Sequence, residues 1–299
     1  MISVVIPTFN AGAEFQKLLD ALDCQTIKPK TIYIVDSGSD DGTVATAENH
    51  GCEVLTINRQ DFDHGTARNL PTSKTKTEFV VFLTQDAIPA DECMLAELIK
   101  PMQVDSNIAM CYGRQLPKPE ATPLERFARE FNYPTQSILK TAANINTLGL
   151  KTFFCSNVCS AVRKSLFEKL GGFQENVMTN EDMLFAAKAI HNSYSIYYSA
   201  TAKVYHSHSY SSFETFKRYF RIGRFFAANK RFFERTGLKN YGGDFLKASI
   251  KTFWQQDKSY YIIALFAELA IKTIACKAGW YYQTLIGEKP VISGKSLEH

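Results

Sequence analysis

The stretch ISVVIPTFNAGAEFQKLLDALDCQTIKPKTIYIVDSGSDDGT, residues 2–43, contains two short apolar runs separated by a helical pattern. The runs Ile2–Ile6 and Thr31–Val35 are rich in β-branched residues, which is typical of buried strands. The apolar residues between them recur at i, i+3, i+4 and i+7, the spacing of an amphipathic helix: Phe15, Leu18, Leu19 and Leu22. The stretch therefore predicts a strand, a helix and a second strand.

The same alternation continues to residue 112, with further predicted strands at Glu53–Ile57, Phe79–Leu83 and Ile108–Tyr112. This order predicts an α/β fold with a mostly parallel central sheet flanked by helices. Ligands of such sheets bind at the carboxyl ends of the strands. We therefore expect the chemistry directly after Ile6, Val35 and Leu83.

The rest of the chain changes in character. Residues 113–150 are rich in proline and predict a loop-rich crossing with one short helix near Leu124–Phe131. Helices are predicted at Lys164–Leu170 and from about Glu181 to His191, and the pattern is helical almost to the end from Phe213. We divide the chain into a domain at 1–211, with halves at about 1–112 and 113–211, and a helical region at 212–296. The final residues 297–299 resemble an affinity-tag remnant.

Composition excludes several classes of protein. The 299 residues are 45% hydrophobic and 21% charged, as in a soluble globular protein, and the net charge of +4 does not indicate nucleic-acid binding. None of the seven cysteines forms a CxxC pair, so free thiols in a reducing compartment are expected. Because Met1 leads directly into a strand without a signal peptide, we expect a cytoplasmic protein.

Two carboxylates follow predicted strands. Asp36 begins the segment DSGSDDGT, where it can act in turn and cap chemistry or accept the N3–H of a uracil or thymine ring. Asp86, in Thr84-Gln85-Asp86, can hold Mg²⁺ or Mn²⁺ against a diphosphate, or can simply be a surface residue before the next helix.

Two further groups lie in the second half. Glu181 and Asp182 open a predicted helix, where they can stabilise the helix dipole or take a proton from an acceptor hydroxyl. His206 and His208 are two residues apart, so on an extended segment both imidazoles can face one site. Each can equally be a structural histidine.

These motifs together resemble family 2 glycosyltransferases, which have the GT-A fold. The resemblance covers about residues 2–225 and depends on the order of five motifs: PTFN at 7–10, DSGSDDGT at 36–43, the Asp86 segment, GGF at 171–173 and Glu181-Asp182. Three further segments resemble the rhamnosyltransferase branch of that family: FDHGTARN at 62–69, TQDAIP at 84–89 and HSH at 206–208.

The resemblance implies an inverting, metal-dependent transferase that uses dTDP-β-L-rhamnose to build bacterial surface polysaccharide. It makes Asp182 the general base and Glu181 its support. It assigns five residues to the nucleotide sugar: Thr8, Asp36, Arg68, Gln85 and Asp86. Of these, Arg68 is expected near the ribose and diphosphate. It assigns the metal to Asp86 with one histidine, preferably His206, and implies roles at the acceptor or diphosphate for Ser156, Asn157 and His208. The acceptor is expected to be a glycan or a lipid-linked glycan, bound by the second half of the domain.

The sequence departs from the family at Thr84, where the metal motif usually has its first aspartate. One negative charge is therefore missing, which motivates an alternative: a catalytically weak scaffold that binds sugar nucleotides. Transfer of another UDP- or dTDP-activated sugar is a second alternative. A sugar-nucleotide pyrophosphorylase fits poorly because PTFNAG at 7–12 is not its glycine-rich loop. An oxidoreductase fits less well because no GxGxxG follows a strand.

The C-terminal region carries a basic, aromatic stretch from 212 to 236. It predicts either a solvated helix face, a contact of Arg218 or Arg221 with the donor diphosphate, or contact with an anionic membrane surface. The apolar segment Tyr260–Tyr282 has no charge-free run long enough to span a bilayer. An interfacial helix or a homodimer contact is expected there, and peripheral attachment to the inner face of the cell membrane is compatible with either.

Overall fold

The computed structural model describes residues 1–208, 210–234, 241–256 and 258–286. The expected affinity-tag remnant at 297–299 lies outside the described residues, as do residues 287–296 of the predicted helical region.

Nine strands form one sheet. They are β1 Ile2–Thr8, β2 Thr31–Asp36, β3 Glu53–Thr56, β4 Phe79–Leu83, β5 Ile88–Pro89, β6 Ile108–Leu116, β7 Ile138–Lys140, β8 Cys159–Arg163 and β9 Ser195–Tyr205. The strand order is β3-β2-β1-β4-β8-β6-β9-β5, and β7 also pairs with β9. Strands β3, β2, β1 and β4 are parallel, β8 is antiparallel to both of its neighbours, and β6 and β9 are parallel.

Within the described residues, twelve α-helices accompany the sheet. They are α1 Ala13–Asp23, α2 Thr43–Asn49, α3 His64–Lys74, α4 Met94–Val104, α5 Pro123–Asn132, α6 Ile145–Leu148, α7 Lys164–Lys169, α8 Glu181–His191, α9 Ser212–Ala228, α10 Lys230–Phe233, α11 Tyr241–Gln255 and α12 Tyr261–Ile286. Apolar side chains on both faces of the sheet are buried: β4 is buried along its whole length, and Phe15, Leu18, Leu19 and Leu22 of α1 lie in the core. The α/β fold with a helical C-terminal region is thus confirmed, because a sheet buried on both faces requires helices on both sides.

Strand β1 lies between β2 and β4, so later strands are added to the sheet on both sides of β1. Such a reversal of strand order opens a crevice at the carboxyl ends of the strands concerned. Here the side-chain amide of Gln85 bridges it, accepting a hydrogen bond from the Phe9 N–H at 2.8 Å and donating to the Phe9 carbonyl at 3.1 Å. The crevice is where the sequence predicts the chemistry.

The C-terminal helices pack against one another and against α5. Helix α9 crosses α12 with a glycine from each helix at the contact: a methyl group on Gly223 would overlap the Cys276 carbonyl, and one on Gly279 would overlap the Phe220 carbonyl. Phe127 of α5 contacts Phe245 and Phe253 of α11. Within the described ranges, no helix has both the length and the apolar character needed to cross a bilayer.

Three elements differ from their predictions. Strand β6 continues through Tyr112 to Leu116, past the predicted end of the first half. The sequence predicts order over Phe153–Val162, but this segment starts as turns and β8 begins only at Cys159. Strand β9 was not predicted as a strand, because its buried positions include small and polar residues that hide the alternation of a strand.

Candidate active site

A cavity of about 1110 Å³ opens at the carboxyl edge of the sheet. Its polar wall contains His64, Arg68, Asp182, His206 and Arg218, and its other end is lined by apolar residues of α6 and α12. The cavity therefore joins loops of the sheet to the C-terminal helices, and a ligand in it would meet both.

One candidate metal site lies at this edge. Asp86 Oδ2 is 3.0 Å from His208 Nε2 and 3.5 Å from His206 Nε2, and one ligand atom from each residue lies within 4.8 Å of the others. Burial raises the pKa of Asp86, but the hydrogen bond from His208 and the neighbouring imidazoles outweigh it and hold that pKa below its usual range. Burial lowers the pKa of His206 to about 3, so its imidazole is neutral. A carboxylate with two imidazoles is a donor set that fits Mn²⁺ or Mg²⁺, and the two histidines face one site as their spacing predicted.

Gln115, which the sequence analysis missed, orients His206. Its Oε1 lies 3.1 Å from His206 Nδ1 and also accepts from Arg129, while its Nε2 donates to Ser156 Oγ at 3.0 Å. With Nδ1 donating, His206 presents the lone pair of Nε2 toward Asp86. Gln115 lies beyond the predicted end of β6. A prediction that extended this strand to Leu116 would have placed Gln115 near the site.

Asp182 is the second residue of α8 and lines the same cavity as His206 and His208. Its Oδ2 accepts the backbone N–H of Asn157 at 3.0 Å, and its Oδ1 accepts that of Met183 at 2.7 Å. Burial and the negative charge of Glu181 raise the pKa of Asp182 to about 7, against the opposing effect of these two hydrogen bonds. A carboxylate with a pKa near neutrality is suited to accept a proton from a hydroxyl.

Glu181 faces a different partner. Its Oε1 accepts hydrogen bonds from Arg68 and from the Asn157 side chain, both at 3.1 Å, and all three side chains are buried. Arg68 also donates to the His64 carbonyl, and within the described part of the chain its Nε has no partner. Arg68 lines the cavity, but its ion pair places it against the acidic end of α8.

The rest of the His-Gly-x-x-Arg-Asn segment holds α3 to this region. Asn69 hydrogen bonds to both the N–H and the carbonyl of Phe173, mimicking a strand partner. A methyl group on Gly65 would overlap the carbonyl of Gln174. The segment therefore fixes the Gly171-Gly172-Phe173 turn that precedes α8.

The predicted base-binding residues lie at the ends of β1 and β2. Asp36 is buried and accepts hydrogen bonds from the Thr8 hydroxyl at 3.0 Å and from the backbone of Gly38 and Ser39 at 2.9 Å. The Ser39 hydroxyl donates to it as well. The turn role of Asp36 is thus directly visible, and a nucleotide base would have to replace one of the hydroxyl donors.

Arg218 and Arg221 of α9, the two arginines with a predicted role, are both exposed but differ in whether they line the cavity. Arg218 lines the cavity, and its guanidinium donates to the Tyr210 hydroxyl at 3.1 Å, next to His208. Arg221 is exposed and does not line the cavity.

The three aspartates that the sequence singled out lie along one edge. Asp36 bonds Thr8, the next residue Phe9 bonds Gln85, and Asp86 contacts the two histidines that share the cavity with Asp182. Contacts therefore connect the ends of β1 and β2 to Asp86 and the two histidines, and these histidines line the same cavity as Asp182.

Comparison with known proteins agrees with this arrangement. The family model described as glycosyl transferase family 2 matches residues 3–171. The O-antigen chain rhamnosyltransferase RfbN of Salmonella typhimurium is 40% identical over 288 residues, covering 95% of this chain and 91% of that protein. The O-antigen chain rhamnosyltransferase WbaN of Salmonella anatum is 38% identical, covering 95% of this chain and 90% of that protein.

Solved structures support the fold. The mannosyltransferase PcManGT from Pyrobaculum calidifontis, in complex with GDP-Man and Mn²⁺, has a TM-score of 0.66 at 15% identity, covering 96% of this chain and 88% of that one. TarS 1–349 of S. aureus, in complex with UDP-GlcNAc, has a TM-score of 0.58 at 19% identity, covering 76% and 65%. Because the family model spans more than half of the chain and the relatives span nearly all of it, this glycosyltransferase belongs to glycosyl transferase family 2.

Proposed function

We propose that this enzyme transfers L-rhamnose from dTDP-β-L-rhamnose, with inversion, to a hydroxyl of a bacterial cell-surface polysaccharide or its lipid-linked precursor. The observation that carries the proposal is that His206 and His208, which form a candidate metal site with Asp86, line the same cavity as Asp182, a carboxylate of raised pKa. The choice of rhamnose is supported by the two O-antigen rhamnosyltransferases that are 38–40% identical over most of the chain.

In the proposed reaction, Asp182 Oδ accepts the proton of an acceptor hydroxyl. The hydroxyl oxygen attacks the anomeric carbon as the bond from that carbon to the diphosphate oxygen breaks on the opposite face. A single displacement of this kind inverts the configuration and leaves dTDP. The neighbouring Glu181 is paired with Arg68, and its charge raises the pKa of Asp182.

Asp86, His206 and His208 would hold Mg²⁺ or Mn²⁺, and the ion would offset negative charge on the departing diphosphate. Neutral His206, oriented by Gln115, is ready to serve as a ligand. In the proposed site, the second histidine takes the place of the metal-binding aspartate that the family usually has at the position of Thr84.

The remaining residues are assigned by their position. Thr8, Asp36 and Gln85 would position the nucleotide at the ends of β1, β2 and β4, and Arg218 would contact the diphosphate beside His208. Arg221 would need a change of side-chain conformation to take part. Ser156 and Asn157 line the acceptor side next to Asp182.

We further propose that residues 1–112 form the nucleotide-sugar half, 113–211 the acceptor half and 212–296 a helical region that completes the cavity. The cavity lining supports this last role, because Tyr219 and Ile222 of α9 and Ile271 of α12 line it. A cytoplasmic enzyme attached to the inner face of the membrane would meet a lipid-linked acceptor there.

The test is a donor screen by calorimetry with dTDP-rhamnose, UDP-glucose and UDP-galactose, each with and without Mg²⁺ or Mn²⁺. We expect dTDP-rhamnose to bind most tightly and the metal to strengthen its binding. A clear preference for a uridine donor would overturn the rhamnose assignment and leave the family unchanged. Donor binding without hydrolysis or transfer, even with Mn²⁺, would instead indicate a scaffold.

A further inference from the structure

Lys140, at the end of β7, is a buried lysine that the proposed reaction does not use. Only 3% of its surface is exposed, and among the described residues no carboxylate forms an ion pair with it. Burial of an ammonium group without an anionic partner is costly. Such a group is kept only where other contacts compensate for the lost hydration.

Three hydrogen bonds provide that compensation. Lys140 Nζ lies 2.6 Å from the Tyr112 hydroxyl, 2.8 Å from the Lys151 carbonyl and 2.7 Å from the Phe154 carbonyl. An ammonium group has three N–H donors, so each acceptor takes one. The Lys151 carbonyl belongs to the short helix at Gly149–Thr152, and the Phe154 carbonyl belongs to the turn that links this helix to β8.

The chain continues from this turn to Asn157, which contacts both acidic residues of α8. Three residues after Phe154, the backbone N–H of Asn157 donates to Asp182, and the Asn157 side chain donates to Glu181. The carbonyls held by Lys140 therefore fix the start of the segment whose end holds both acidic residues of α8.

We propose that Lys140 is a positioning residue for sugar transfer: by holding the Lys151 and Phe154 carbonyls, it keeps the Asn157 N–H on the proposed base Asp182. The inference rests on the proposed role of Asp182 as the base. It assigns a function to a lysine that has no part in the proposed proton transfer or metal site.

The arrangement tolerates either protonation state of the lysine. Burial lowers the pKa of Lys140 to about 7, and the nearby charge of Lys151 acts in the same direction, whereas Cys155 opposes it. A neutral amine can still donate to both carbonyls and can accept a hydrogen bond from the Tyr112 hydroxyl, whose own pKa is raised by burial. Titration of Lys140 therefore leaves the carbonyl contacts in place.

The test compares wild-type enzyme with Lys140→Met, which keeps the length and removes every donor. We expect kcat to fall by about 10- to 100-fold, because small misplacements of catalytic groups have effects of this size. The Kd of the nucleotide donor should stay within about twofold. The assay uses whichever sugar nucleotide the wild-type enzyme transfers, so failure of the rhamnose assignment does not affect this test.

The pH profile separates positioning from a structural role. The Asn157 N–H lowers the pKa of Asp182, so its loss should move the acidic limb of kcat to higher pH by about half a unit or more. The other groups that act on or lie beside this carboxylate, Glu181, Arg68, Cys155 and Tyr133, are the same in both proteins.

Lys169→Met is the matched control, because Lys169 donates to the Tyr194 hydroxyl outside the cavity. It should change neither kcat nor the acidic limb. If Lys140→Met does not fold, Lys140→Gln retains a shorter side chain with two N–H donors and should show a smaller shift in the same direction. An unmoved acidic limb, or failure of both variants to fold, would overturn the proposal and limit Lys140 to stabilising the fold.

Discussion

Glu181 and Asp182 are neighbours in sequence, but their carboxylates meet different surroundings. Successive residues of a helix point about 100° apart, so the two side chains find different partners although both line the cavity. Glu181 contacts Arg68 and the Asn157 side chain, whereas Asp182 accepts two backbone N–H groups. We therefore expect their substitutions to have different consequences.

Replacing the proposed base should abolish transfer and spare the donor. For Asp182→Asn we predict that kcat falls by about 10²- to 10⁴-fold, the usual contribution of a general base, while the Kd of the donor changes less than about threefold. Transfer is measured by release of the nucleoside diphosphate, and binding by calorimetry. Asp105→Asn, at the end of α4, is the control. Wild-type turnover by Asp182→Asn would remove this residue from the mechanism.

Removing the buried ion pair should instead weaken the fold. Glu181→Gln leaves Arg68 buried without its carboxylate, and breaking one side of such a pair costs about 3–5 kcal/mol. We predict a lower melting temperature together with an acidic limb of kcat at lower pH, because the negative charge that raises the pKa of Asp182 is gone. Thermal unfolding and a pH–rate profile measure the two effects. An unchanged profile would show that Glu181 does not act on the base.

The raised pKa of Asp182 has consequences for both activity and stability. Transfer requires the carboxylate, so kcat should rise with pH through an apparent pKa of about 7. A group whose pKa is higher in the folded state stabilises the fold below its unfolded pKa, and this contribution is lost as pH rises through about 7. We therefore predict that Asp182→Asn gains more stability relative to wild type at pH 8.5 than at pH 5, measured by thermal unfolding. An equal difference at both pH values would contradict the raised pKa.

Gln115 should influence the metal site without being a ligand. Gln115→Leu removes the acceptor that orients His206, and losing such a partner typically lowers metal affinity by about 10- to 100-fold. Titration of Mn²⁺ followed by electron paramagnetic resonance checks this prediction. Gln16→Leu, on the exposed side of α1, is the control and should bind Mn²⁺ like the wild type. Unchanged affinity in Gln115→Leu would mean that His206 does not bind the ion.

At the scale of elements, predictability follows how local the determining contacts are. The first strands and α1 could be predicted because their apolar periodicity lies within a few residues. The start and end of α8 at Glu181 and His191 were also predicted, from its acidic first residues and the preceding glycines. Strand β9 could not be predicted in full, because its pairing with β6 contains two irregularities and joins distant segments.

The site shows the same limit. Asp86, His206, His208, Glu181 and Asp182 were singled out because their residue types and spacing carry chemical meaning. The contact between Arg68 and Glu181 joins residues 113 positions apart, and no local pattern reveals it. The resemblance placed Arg68 near the donor, whereas the fold places it against the acidic end of α8. Nothing in the sequence indicated that Lys140 is buried, since a lone lysine in a loop-rich segment is ordinarily exposed.

The crossing of α9 and α12 depends on its two glycines. In Gly279→Val the side chain would overlap the Phe220 carbonyl, so the helices must separate. We predict a loss of about 1–3 kcal/mol of unfolding free energy, the usual effect of overpacking. Chemical denaturation measures it. Ala270→Val, on the exposed side of the same helix, is the control. Equal stability of the two variants would show that the close crossing does not exist.

At the scale of the whole molecule, the helical region has two faces with different character. One face of α12 contributes Ile271 to the cavity. On another, Ile263, Ile274 and Leu285 are 78%, 62% and 84% exposed. They are eleven residues apart, close to three helical turns, so they form one line along the helix. Lys277 lies on the same side, and exposed Trp254 and Tyr260 precede it. This combination is typical of helices at a membrane surface.

We therefore predict that the enzyme sediments with vesicles containing anionic lipid, and that salt weakens this binding because lysines contribute to it. Vesicles of neutral lipid should bind less. The double variant Ile263→Ser/Ile274→Ser should lose binding because it removes two of the three exposed apolar side chains of the line, while transfer to a short water-soluble acceptor persists because neither residue lines the cavity. Sedimentation velocity on the same proteins tests the other occupant of this face, a second copy of the chain. No binding to anionic vesicles would end the membrane proposal, and a dimer that dissociates in the double variant would assign the face to self-association.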